Sequence, residues 1–329
     1  MDSLAAVSKA LWSIHPQRFW VIWCTITIAS LIYVKWLLGP IAITSRQERM
    51  VQSVGIKSIR QQIRDPKSIL ALTLLVGFLG FYIFMILVWE DFAYYDNDLF
   101  IVYSLKGYNF PPPIWQDNGR FFPFGLQEFN LVSHLTTTPF GYHVVPIVEL
   151  LIFCCFLLIL DSELRMSSRV MLATLALLTP SILLSFTGLI FPERNVLVLI
   201  GCMALAIRQF EQTKASHWAT AAVLSTQIML YLKETSFLLV LGFAVGRSLL
   251  RCMEGPHGWS LEKLWDRENR LDLCLACLGV LFLFAYFTVM GLHGNMNYIS
   301  SARHPVTDVV LNYLGLDLMV WLFIAVPRT

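Results

Sequence analysis

Apolar residues in this chain come in long runs, not in the alternation of a half-buried strand or the three-and-four spacing of a soluble helix. A helix needs about 20 residues to cross the hydrocarbon core of a bilayer. Runs of that order occupy 19–38, 68–89, 144–160, 170–190, 217–232, 273–291 and 309–326. Two shorter runs, 195–207 and 236–246, predict tilted, partial or re-entrant elements, which are tolerated only where protein or a wet cavity covers them. These about nine apolar segments predict an all-α fold, a polytopic transmembrane helical bundle forming one membrane domain over 1–329. The run from Phe19 to Leu38 is too long for a signal-peptide core and has no small-residue cleavage site, so it predicts a retained anchor helix.

The polar positions between the runs set the expected orientation. Arg46, Arg49, Lys57, Arg60, Arg64 and Lys67 fill the 39–67 loop. Arg165 and Arg169 follow the third run, Arg208 and Lys214 the fifth, and Arg247, Arg251, Lys263, Arg267 and Arg270 the seventh. Every second loop is basic, so those loops are predicted to be cytoplasmic. The loops 90–143, 191–195, 233–235 and 292–308 then face the other side. The 90–143 loop is rich in Phe, Pro and Tyr and is predicted to lie back on the membrane surface with short juxtamembrane helices.

Composition agrees with this class: 57% of the residues are hydrophobic and only 14% charged, against about 25% charged in soluble domains. The net charge of +2 gives no reason to expect a nucleic-acid partner. Cys274 and Cys277 form a C-x-x-C, but inside a helix-like apolar run with no second pair and no nearby His, so packing is the expected role. No G-x-S-x-G and no phosphate-cradling glycine loop occurs, which leaves serine hydrolysis and ATP use unsupported.

Candidate chemistry concentrates on the non-cytoplasmic side. Glu90, Asp91, Asp96 and Asp98 crowd the exit of the second long run, where desolvating carboxylates is costly. On a continued helix Asp91, Tyr95 and Asp98 share one face, with Asp96 nearly opposite. Asn118-Gly119-Arg120 is a turn signal that sets a guanidinium among aromatics, and Glu128 follows. Glu193-Arg194 and Lys233-Glu234 each join two apolar runs with almost no linker, putting adjacent opposite charges at membrane depth, where pairing or phosphate contact is expected. A tight turn with snorkelling side chains explains either one equally simply. Glu149 and Asp317 lie inside apolar runs, where a helix–helix hydrogen bond or a cavity lining would account for them.

At these residues the chain resembles the integral-membrane glycosyltransferases of the GT-C class, and its poorly characterised bacterial members most. The resemblance covers roughly 68–250 and rests on four points: Glu90-Asp91 with Asp96-Asn97-Asp98, the stretch Asn118-Gly119-Arg120-Phe121-Phe122-Pro123 with Glu128, Glu193-Arg194, and Lys233-Glu234. Two departures stand out: the extra segment 19–38 precedes the acidic loop, and the class commonly has further helices, so the chain would be truncated relative to it.

The resemblance implies a polyprenyl-phosphate-sugar donor, a glycan, lipid or protein acceptor, and residence in the bacterial inner membrane among its lipids. It implies Asp98 or Asp91 as the base, with Asp96 beside them, and Arg120, Glu128, Glu193, Arg194, Lys233 and Glu234 as residues that meet the lipid phosphate and sugar. Phosphate departure calls for cations, which Arg120, Arg194 and Lys233 supply. The expectation is no dedicated cofactor and no resident metal site, although the acids suit a divalent metal. The competing classes are a transporter or flippase of an anionic or lipid-linked substrate, and a polysaccharide polymerase or ligase.

Overall fold

The computed structural model describes residues 16–38, 65–89, 92, 105–108, 110, 112–115, 120–160, 164–253 and 267–289. Within them lie helices α1 (Pro16–Leu38), α2 (Pro66–Trp89), α3 (Glu128–Val132), α4 (Pro139–Ile159), α5 (Met166–Leu178), α6 (Pro180–Thr187), α7 (Glu193–Thr213), α8 (Ser216–Leu232), α9 (Ser236–Met253) and α10 (Arg267–Val289). The strands β1 (Ile114–Trp115) and β2 (Arg120–Phe121) form an antiparallel hairpin, with Ile114 opposite Phe121 and Trp115 opposite Arg120. The protein is a helical membrane protein. Among the described residues α2, α4, α7, α9 and α10 are long and apolar enough to span a bilayer. Phe81, Phe84, Phe284 and Phe287 stay exposed on two of them, and apolar surface of that extent is stable against lipid and not against water.

Three segments differ from their sequence expectations. The 170–190 run, predicted as one span, is the pair α5 and α6, bent by 70°. Pro180 is the cause: it has no N–H to give, and it drives Thr179 to ψ 120°, outside the helical region. Thr179 caps the broken end, its N–H donating to the Ala176 carbonyl at 3.1 Å and its Oγ1 to the Leu175 carbonyl at 3.2 Å. The 195–207 and 236–246 runs belong to full-length helices of 21 and 18 residues. Their polar ends, such as Arg208-Gln209-Phe210-Glu211-Gln212, are good helix formers that a hydropathy pattern leaves out. The 309–326 run, Asp317 and most of the 39–67 loop lie outside the described residues.

The 90–143 loop carries the short helix α3 but also the hairpin, which its composition did not suggest. It ends early, because Thr138 caps α4 by accepting from the Gly141 N–H at 3.3 Å, with Pro139 pre-set at the first helical position.

Contacts divide the chain into two compact units. One holds α1, the hairpin with residues 112–125, α7 from Cys202 onward, α8, α9 and α10. In it α1 packs on α8 and α10, and α9 lies along α10. Cys274 is buried on α10, as a packing cysteine should be, whereas Cys277 is exposed, and neither forms a disulfide among the described residues. The other unit holds α2, α3, α4, α5, α6 and α7 up to Gly201. Its core joins Leu75 and Leu79 of α2, Leu150 and Phe153 of α4, Ala173 of α5 and Phe186 of α6.

Candidate functional site

In the unit that contains the hairpin, local folding brings three of the sequence candidates together. Phe121, next to Arg120 on β2, is buried against Tyr231, Phe282 and Tyr286, with ring centroids 6.0, 5.9 and 6.4 Å away. Phe124 donates its backbone N–H to the Tyr231 carbonyl at 3.0 Å, and Trp23 of α1 meets the Phe124 ring edge-on at 4.8 Å. These contacts dock the 120–125 loop on the C-terminal end of α8. That helix stops at Lys233, which is extended, and the Ser236 N–H donates to the Lys233 carbonyl at 3.0 Å as the chain turns into α9.

Arg120 therefore faces the α8–α9 turn. Its Nε lies 2.6 Å from Glu234 Oε1, with the two side chains 30% and 17% exposed. Its guanidinium sits 5.0 Å above the Phe122 ring, and Lys233 Nζ lies 6.0 Å from that same ring. Two cations thus border one aromatic ring, attracted by its negative face. Arg120 Nη1 and Nη2 make no hydrogen bond to any described residue. Among the described residues, two cations and one carboxylate meet here.

Arg194 is the opposite case. It is fully buried in the other unit, at the start of α7. Its Nη1 donates to the carbonyls of Leu189 (2.7 Å), Phe191 (2.9 Å) and Gly188 (3.4 Å). Nη2 donates to Glu128 Oε1 at 2.6 Å, and Nε pairs with Glu149 Oε2 at 2.7 Å. Asn195 Nδ2 adds a 3.0 Å bond to Glu128 Oε1, and Phe129 lies under the guanidinium at 5.3 Å. Every edge of this arginine is taken by protein. It ties the α6–α7 connection, α3 and α4 together. Glu128 is likewise engaged with Arg194. Glu193 opens α7, where a carboxylate suits the positive end of the helix dipole.

Asp91, Asp96 and Asp98 lie outside the described residues. Among the described residues no three His, Cys, Asp or Glu side chains gather closely enough to hold a metal ion. Sequence reasoning left Glu149 between a helix–helix bond and a cavity lining. It forms an ion pair with Arg194 at the start of α7, its Oε2 accepting no hydrogen bond from any described residue. Phe122 was quoted in the sequence but given no role, since nothing local announces that a ring will underlie two cations from distant segments.

A third cluster was counted in the sequence only as loop charge. Arg247 Nη2 pairs with Glu211 Oε1 at 2.5 Å, and Arg251 pairs with the same carboxylate. Arg251 Nη1 also donates to Asp272 Oδ2 at 3.0 Å and Asn269 Oδ1 at 3.3 Å. Asp272 is fully buried, so these charges clasp α7, α9 and α10.

Comparison with protein-family models, with curated proteins and with solved structures gave no match.

Proposed function

We propose that the chain is a membrane-embedded glycosyltransferase that moves a sugar from a polyprenyl-phosphate donor to an acceptor hydroxyl on the non-cytoplasmic face. The observation that carries this is Arg120: paired at Nε with Glu234 and faced by the Phe122 ring, it makes no hydrogen bond through Nη1 or Nη2 to any described residue, and Lys233 borders the same ring. A planar two-donor edge beside a second cation suits a phosphate oxyanion. The phosphate is already a good leaving group, so stabilising its developing charge replaces a general acid. The acceptor hydroxyl is deprotonated by Asp98 or Asp91 as it attacks the anomeric carbon; the bond to phosphate breaks and the configuration inverts.

The test is transfer from a radiolabelled polyprenyl-phosphate sugar by the full chain in nanodiscs. Arg120→Ala is expected to lose transfer at normal expression, and so is Asp98→Asn or Asp91→Asn. Wild-type-like transfer by both aspartate single variants and by their double variant would overturn the assignment.

One observation favours a second reading, a transporter of an anionic or lipid-linked substrate. The α5–α6 break adjoins the α6–α7 connection that Arg194 holds, and broken helices with paired intramembrane charges are frequent at transport sites. Uptake of intact substrate into proteoliposomes, without sugar release, would select it.

A further inference from the structure

The Arg120–Glu234 contact is lopsided. Glu234 Oε1 sits 2.6 Å from Arg120 Nε in an ion pair that is not aligned as a hydrogen bond, and Oε2 is buried without a hydrogen-bond partner among the described residues. A carboxylate placed for stability meets a guanidinium with both oxygens, two parallel bonds to Nε and one Nη. Here one oxygen only is in ion-pair contact, and leaving the other buried acceptor unsatisfied costs stability. What the arrangement leaves is an Nη1–Nη2 edge with no hydrogen bond to any described residue.

Phe122 lies against one face of the guanidinium, and the Glu234 carboxylate holds its Nε by charge. An exposed arginine loses several rotatable bonds when it grips an anion, and one already held on two sides loses less. Glu234 reaches this position because it follows Lys233 in the turn onto which the 120–125 loop is docked. The same turn thus supplies the second cation and the carboxylate that orients the first.

Resting on the glycosyltransferase reading, we propose that Glu234 is a positioning residue: it holds the Nε edge of Arg120 so that the opposite edge faces the phosphate of the lipid-linked donor. It does not touch that ligand, because its remaining oxygen is buried against protein.

The experiment measures, for the full chain in nanodiscs, the affinity for a short-chain polyprenyl phosphate, with the uncharged polyprenol as control, and the thermal midpoint without ligand. The wild type is expected to prefer the phosphate. Glu234→Gln is expected to weaken phosphate binding about tenfold, the loss of one charge-assisted contact's worth of orientation, at an unchanged midpoint. The exchanged pair R120E/E234R keeps an ion pair between loop and turn, so it is expected to hold the midpoint and still fail to bind. Three results overturn the proposal alone: wild-type affinity in Glu234→Gln, a midpoint that falls in step with affinity, or binding restored by the exchanged pair. Equal binding of phosphate and polyprenol by the wild type overturns it together with the reading beneath it.

Discussion

Replacing Arg194 with Met separates a structural arginine from a ligand-binding one. The substitution keeps much of the side-chain volume but withdraws the positive charge that pairs with both Glu128 and Glu149, whose side chains are 21% and 14% exposed. Removing one partner of a buried ion pair costs about 3–5 kcal/mol, because the other charge stays behind. The carbonyls of Leu189 and Phe191 also lose their 2.7 and 2.9 Å donor, at about 1–3 kcal/mol each when no water replaces it. The partial exposure of both carboxylates offsets some of this, leaving a net loss of about 4 kcal/mol. At about 2 °C per kcal/mol that is a fall of roughly 8 °C in the thermal midpoint, read from melting of the purified protein in detergent. Adding Glu149→Leu removes a stranded charge and is expected to recover about half of the fall. A midpoint for Arg194→Met within about 2 °C of the wild type, together with lost activity, would refute the reasoning and return Arg194 to the ligand.

Two further outcomes follow from packing elsewhere. Arg251→Met is expected to cost about 3 kcal/mol, and Arg247→Met less, since Arg251 lies 3.0 Å and Arg247 3.4 Å from the fully buried Asp272; melting curves giving the reverse order would break that ranking. Gly201→Val places a Cβ 2.5 Å from the Phe156 ring, so it is expected to destabilise by about 2 kcal/mol and to be partly rescued by Phe156→Leu in the same assay.

The membrane class and the helices were legible because an apolar run needs no knowledge of its neighbours. α2 matches the 68–89 run closely, being apolar on all sides. Helix length was less legible: α7 and α9 continue through polar residues that favour helix without favouring lipid. The bend at Pro180 was present in the sequence, yet one proline in a long apolar run is also compatible with a kinked single span, so its 70° size was not legible. Of the candidate site, the residues were legible and their pairing was not. Arg120 with Glu234, and Arg194 with Glu149, are brought together by helix register and loop docking, which no local spacing encodes. Sequence treated Arg120 and Arg194 as equivalent cations; burial makes one available and the other spent.

The broken pair α5–α6 has a consequence for biosynthesis. Two of its packing partners within its unit, α2 and α4, precede it in the chain, and Tyr82 of α2 donates its hydroxyl to the Leu183 carbonyl at 2.8 Å. A chain made from the N-terminus has those surfaces in place before the break emerges from the ribosome. The exposed carbonyls of an interrupted helix, unfavourable in lipid alone, thus meet a prepared seat on arrival. Arg194, synthesised next, then fastens the segment by the carbonyls of its last loop. Order of synthesis, as much as final energy, makes such a break affordable.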